Sequence, residues 1–145
     1  MKDYISLRKF SFRFAEQVLN SKLSLKQEIE EILTEPTTDI KLLTKPFFNE
    51  LLKKRFVAKG WASQPYVFSE PNDPAARMDF LKERVGMEVG FGHNAFLGID
   101  LLKFQVASYS GLDKIDVGVY VLTTNNFQKR MKRDFGQSRW EDSEF

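Results

Sequence analysis

Cysteine is absent from the 145 residues, which excludes disulfides, a thiolate nucleophile and zinc–sulfur coordination. Histidine occurs once, as His93, so a multi-histidine metal cage is impossible within one chain and a Ser-His-Asp triad would have that imidazole alone. No apolar stretch approaches the roughly 20 residues of a membrane span. The opening Met1-Lys2-Asp3-Tyr4 lacks the apolar core of a secretory signal. Neither sign of charge prevails: 22 Lys plus Arg stand against 20 Asp plus Glu, which argues against a uniformly basic nucleic-acid coat. The expectation is a soluble cytoplasmic domain with no membrane attachment. Its polar chemistry must rest mainly on carboxylates, and any electrostatic footprint must come from local clustering.

What the chain does contain is apolar and bulky. Hydrophobic residues make up 42% of it, and phenylalanine contributes 14 side chains against 4 Tyr and 2 Trp. That is enough to fill one core, so residues 1–145 read as a single domain. Ser24 with Gln27 has a capping-box pattern, and Leu25, Ile29, Ile32 and Leu33 recur at helical spacing, predicting a helix over residues 24–33. The segment 10–19 places Phe10, Phe14 and Val18 on one helical face. Another helix starts near Pro46 and carries Phe47, Leu51 and Leu52. Residues 56–73 are irregular, punctuated by Gly60, Pro65 and Pro71, with Pro74 just beyond.

Two short alternating runs follow, 77–82 and 85–91, then an apolar helix over 95–109. Ile115, Val117, Val119 and Val121 alternate as a strand, and Asn125 or Asn126 caps a last helix through Arg133. The order predicts an α/β (α+β) domain with a central sheet flanked by helices.

If the two runs pair as an antiparallel hairpin with Glu83-Arg84 at the tip, residues whose numbers sum to 167 lie opposite one another, and Asp79 faces Glu88. The other face of that register reads Met78, Phe80, Val85, Met87, Val89 and Phe91, and belongs to the core. Asp79 and Glu88 then stand beside Gly86 and Gly90, which leave space for a bulky group such as a phosphate. Adjacent carboxylates repel unless a cation joins them. Hard oxygen ligands on strands suit Mg²⁺, and the outline is that of a metal-assisted phosphodiester site.

The run Asp79-Phe80-Leu81-Lys82-Glu83-Arg84-Val85-Gly86-Met87-Glu88-Val89-Gly90-Phe91 resembles the active-site hairpin of the BglII and BstYI group of type II restriction endonucleases, members of the PD-(D/E)xK nuclease superfamily. The likeness extends upstream through Lys53-Lys54-Arg55 to Trp61 and downstream through residues 117–124. It implies a restriction-endonuclease-like mixed sheet and Mg²⁺-dependent hydrolysis at a short palindrome with a GATC core, leaving a 5′-phosphate. Residue by residue, it implies that Asp79 and Glu88 bind the metal, joined by the backbone carbonyl of Val89, and that the Gln64 amide helps order the attacking water. Gly90 departs from the family, which has Lys or Gln there. Lys82, His93 or Lys103 would have to supply the missing polar group.

For double-stranded DNA, the cluster Lys129, Arg130, Lys132 and Arg133 supplies phosphate contacts on the last helix. A palindromic cutter needs a two-fold homodimer, and part of the apolar 94–109 segment is available for that interface, the rest being core. The resemblance places the protein in a prokaryotic cytoplasm. Relatives continue beyond the point where this chain stops after the acidic Glu141-Asp142-Ser143-Glu144, so it reads as short at its C-terminus. Two rival readings are a nuclease fold that binds DNA without cutting it and a protein-interaction module built on the apolar helix.

Overall fold

The computed structural model describes residues 5–36, 42–65, 77–91, 97–108 and 114–140. Pro71, Pro74, His93, Tyr109 and the acidic residues 141–144 lie outside the described residues. In chain order the elements are α1 (Ala15–Asn20), α2 (Leu23–Thr34), α3 (Lys45–Ala58), β1 (Ala62–Ser63), β2 (Phe80–Lys82), β3 (Val85–Gly90), α4 (Leu97–Ser108), β4 (Val117–Leu122) and α5 (Asn125–Phe135). The sheet order is β1-β2-β3-β4, antiparallel across its first two pairs and parallel between β3 and β4. A parallel pair needs a crossover, and α4 lies within it. The mixed sheet flanked by helices is the expected fold class. Among the described residues, no helix is long and apolar enough to cross a membrane.

The main core fills one face of the sheet. Leu25, Ile29, Ile32 and Leu33 of α2 and Phe48, Leu52 and Phe56 of α3 pack against Phe80, Val85, Met87, Phe91 and Val117, with Met131 and Trp140 closing the end. Phe48 stacks on Phe91 at 5.1 Å between ring centroids, and Trp140 meets Phe91 edge-on at 5.5 Å. Such pairs add about 0.5–1.5 kcal/mol beyond their burial. Met78 departs from the expected face: it is buried with Ala107 and Ile115 on the other side, against Leu81 and Phe104.

Several helix boundaries differ from the sequence reading. Arg13 and Phe14 take left-handed φ values of 53° and 60°, so the helix begins only at Ala15, and Phe10 and Phe14 are 78% and 76% exposed. α2 starts at Leu23 with Lys22 in the cap position and no side-chain cap, so Ser24 does not form the expected box. In α3 it is Phe48, Leu52 and Phe56 that are buried, whereas Phe47 is exposed. Thr124, one residue before the predicted Asn, caps α5 by accepting a hydrogen bond from the Phe127 N–H at 3.1 Å. In α4 the expected core packing holds for Ala107, while Ile99, Leu101 and Leu102 face outward.

Candidate active site

Hairpin register decides which side chains meet. Phe80 pairs with Met87, Leu81 with Gly86 and Lys82 with Val85, so every pair sums to 167 as expected. The tip is a two-residue turn in which Glu83 and Arg84 both have positive φ, 46° and 68°. Asn-Gly would adopt that geometry more easily. Tertiary bonds offset the cost: Lys22 donates to the Glu83 carbonyl at 3.0 Å, the Asp116 N–H donates to the Arg84 carbonyl at 2.8 Å, and the Arg84 guanidinium donates to the Asp116 carboxylate at 2.9 Å.

Asp79 stands one residue before β2 and is held from three directions. Its Oδ2 accepts the Val89 N–H at 2.7 Å, its Oδ1 accepts the Gln64 side-chain amide at 2.9 Å, and its carbonyl accepts the Gln64 N–H at 2.9 Å. Gln64 reaches this position with a left-handed φ of 54°. Its amide is committed to Asp79, so in this structure it fixes a carboxylate, whereas the resemblance implied contact with water.

Glu88, on β3, is 3% exposed. Burial pushes its pKa up to about 9, and the neighbouring Asp79 carboxyl, both as a charge and as a hydrogen-bond partner, adds to the rise. The two acidic side chains therefore share one locality, as the register requires. Glu88 Oε1 is buried with no hydrogen-bond partner, while Lys103 Nζ approaches it at 3.5 Å without hydrogen-bond geometry. An orphaned buried oxygen beside a second carboxylate fits a hard divalent cation, which would supply the missing partner. Among the described residues no group of three or more His, Cys, Asp or Glu side chains is assembled to hold a metal, so further ligands would have to come from backbone or water.

The face that carries Glu88 is not open. Lys103 brings α4 over it, and the space beside the two glycines is already filled. A Cβ on Gly86 would lie 2.3 Å from Met78 Sδ, and one on Gly90 would lie 2.7 Å from Tyr120 Cε1 and 2.8 Å from Leu122 Cδ2. The expectation that these glycines make room for a phosphate is thus corrected: close packing of neighbouring side chains explains both. Tyr120 pairs in register with Glu88, and its hydroxyl donates to Asp100 Oδ2 at 2.5 Å. Asp100 lies 3.7 Å from Lys103 Nζ.

Asp100 and Tyr120 were not legible as site neighbours. The spacing of Asp100 and Lys103 marks a helical pair, but only the parallel register of β4 brings Tyr120 beside Glu88. Of the substitutes for a residue-90 side chain, Lys82 is turned away, donating to Glu28 Oε2 at 2.9 Å and to the Lys59 carbonyl at 2.6 Å. Trp61 donates to the same Glu28 oxygen at 2.8 Å. Burial raises the Glu28 pKa, yet the bonds from Lys82 and Trp61 outweigh it and hold the carboxyl below its usual value.

Lys129, Arg130, Lys132 and Arg133 are all exposed on α5, around the buried Met131. Asp134 sits among them, 2.8 Å from Arg133 Nε and 4.0 Å from Arg130 Nε. Met131 anchors α5 in the main core, the side of the sheet opposite α4 and Glu88. The basic cluster is thus a surface separate from the carboxylate pair.

A family model described as restriction endonuclease BglII/BglIII matches residues 7–143. The chain belongs to that family. Among solved structures, it resembles the crystal structure of restriction endonuclease BglII complexed with a DNA 16-mer, with 18% identity and a TM-score of 0.60 over 86% of this chain and 67% of the other. At that identity the likeness speaks for a shared fold. No curated protein matches the sequence. The match to the BglII/BglIII family takes in the hairpin, the α4 crossover and the basic α5 together.

Proposed function

We propose that this member of the BglII/BglIII family is a type II DNA endonuclease that hydrolyses phosphodiesters with Mg²⁺, cutting a short GATC-containing palindrome to leave a 5′-phosphate. The observation that carries the reading is the half-buried Asp79 beside the buried Glu88 with its unsatisfied oxygen, set within the family's fold. Asp79, Glu88 and the backbone carbonyl of Val89 would hold the ion. Bound Mg²⁺ neutralises phosphoryl charge and lowers the pKa of a coordinated water. The rest falls to the protein: Gln64 and the Val89 N–H keep Asp79 in one orientation, and burial keeps bulk water from Glu88.

Duplex DNA meets the exposed Lys129, Arg130, Lys132 and Arg133, whose phosphate contacts position it without reading sequence. Cutting both strands of a palindrome calls for a homodimer. The outward Ile99, Leu101 and Leu102 of α4 offer an apolar surface for it. The proposed setting is a prokaryotic cytoplasm, a reading supported by membership of a restriction endonuclease family.

The test is a supercoiled plasmid incubated with Mg²⁺. Wild type should nick and linearise it, and Asp79→Ala and Glu88→Gln should each slow cutting by at least about 10²-fold. Gly90, whose side-chain space Tyr120 occupies, favours a second reading in which the fold binds DNA without cutting it. An intact plasmid with a retained gel shift of duplex DNA would decide for that alternative.

A further inference from the structure

We infer that Lys103 is the catalytic cation of this site, reaching the scissile phosphate from helix α4. The assignment rests on the nuclease reading above. Hydrolysis of a phosphodiester builds negative charge on the phosphoryl oxygens as water attacks, and a fixed cation aimed at those oxygens stabilises the transition state. Any phosphate bound through Asp79 and Glu88 lies beside these two side chains, so the cation must stand next to them as well. Lys103 does: its ammonium is 3.5 Å from Glu88 Oε1, on a side chain that is 15% exposed.

The hairpin itself offers no substitute. Gly90 has no side chain, and the volume one would need is taken by Tyr120 and Leu122. Lys82 is committed to Glu28 and the Lys59 carbonyl.

Lys103 is also loosely enough held to act. Its two carboxyl contacts, 3.5 Å to Glu88 and 3.7 Å to Asp100, are longer than the roughly 2.7–2.9 Å of a charge-assisted hydrogen bond. The ammonium can therefore turn to a phosphate oxygen without breaking a strong bond. Asp100 is a positioning residue in this arrangement: the Tyr120 hydroxyl anchors it, and it keeps Lys103 aimed at Glu88.

The experiment compares the full-length wild type, Lys103→Gln, Lys103→Arg and Asp79→Ala. One readout is single-turnover plasmid cleavage with Mg²⁺; the other is Ca²⁺ binding by calorimetry without DNA. Lys103→Gln, which keeps a polar group near Glu88 but loses the charge, should cut about 10²–10³-fold more slowly. It should bind Ca²⁺ more tightly, because a repelling charge has gone. Lys103→Arg should recover about tenfold or more of the lost rate, since charge carries the effect.

Cleavage by Lys103→Gln within about threefold of wild type, while Asp79→Ala is inactive, overturns the lysine assignment and leaves the nuclease reading standing. Slower cutting together with weaker Ca²⁺ binding also overturns it, because Lys103 would then only hold Glu88 in place. A wild type that leaves the plasmid intact overturns the nuclease reading, and the role of Lys103 with it.

Discussion

With its pKa pushed up to about 9 by burial, Glu88 carries a proton at neutral pH in the metal-free fold, whereas an unfolded Glu titrates near 4.5. Between those values the folded state binds one more proton than the unfolded state. The contribution to stability is complete below about pH 4.5 and is lost as pH rises through about 9. In chelator, urea denaturation of wild type should show stability falling from pH 6 to pH 8 by up to about 1.4 kcal/mol per unit from this group. Glu88→Gln cannot titrate and should lose that slope, becoming more stable relative to wild type as pH rises. The meeting of Asp79 and Glu88 was legible because the period-2 pattern fixes strand register once a tip is chosen. The crowding at Gly90 was not legible, because Tyr120 comes from a strand beyond α4.

At the scale of elements, the hairpin shows how tertiary bonds override local preference. Two residues with Cβ atoms sit in left-handed conformation, each at a cost of about 1–2 kcal/mol. Asn tolerates this geometry better than Glu, and Lys22 grips the Glu83 carbonyl, which the substitution keeps. Glu83→Asn should therefore stabilise the protein by about 0.5–1 kcal/mol, read from urea melts with the m-value unchanged. The same competition displaced the predicted helix starts. Lys22 reaches across to Glu83 and Asp116, and α2 begins behind it without the Ser24 box. β1 escaped notice because two residues carry no periodicity of their own; it is a strand only through its pairing with Leu81 and Phe80.

Taken as a whole, the molecule is close to neutral, with a formal charge of +2, yet α5 gathers four exposed cations on the side of the sheet away from Glu88. If those cations meet phosphates, replacing Lys129 and Lys132 by Ala should weaken duplex binding similarly for all sequences. It should also lower the slope of log K against log salt by up to about 1.8, measured by fluorescence anisotropy in Ca²⁺. The mixed sheet was legible from the alternating valines and the apolar crossover segment. That α4 would leave Ile99, Leu101 and Leu102 uncovered was not, because an all-round apolar helix does not reveal which side meets the sheet.

The bonds joining Arg84 to Asp116 bear on how the sheet assembles. A hairpin closes through local contacts in microseconds, whereas β4 must arrive from across the crossover, the slower kind of encounter. The turn offers a carbonyl and a guanidinium to the residue just ahead of β4, and because those bonds also hold the turn, turn geometry and strand register settle together. A slip of one position would point the Tyr120 phenol away from Glu88. The pairing of Glu88 with Tyr120 is in this sense tied to a bend at the other end of the strand.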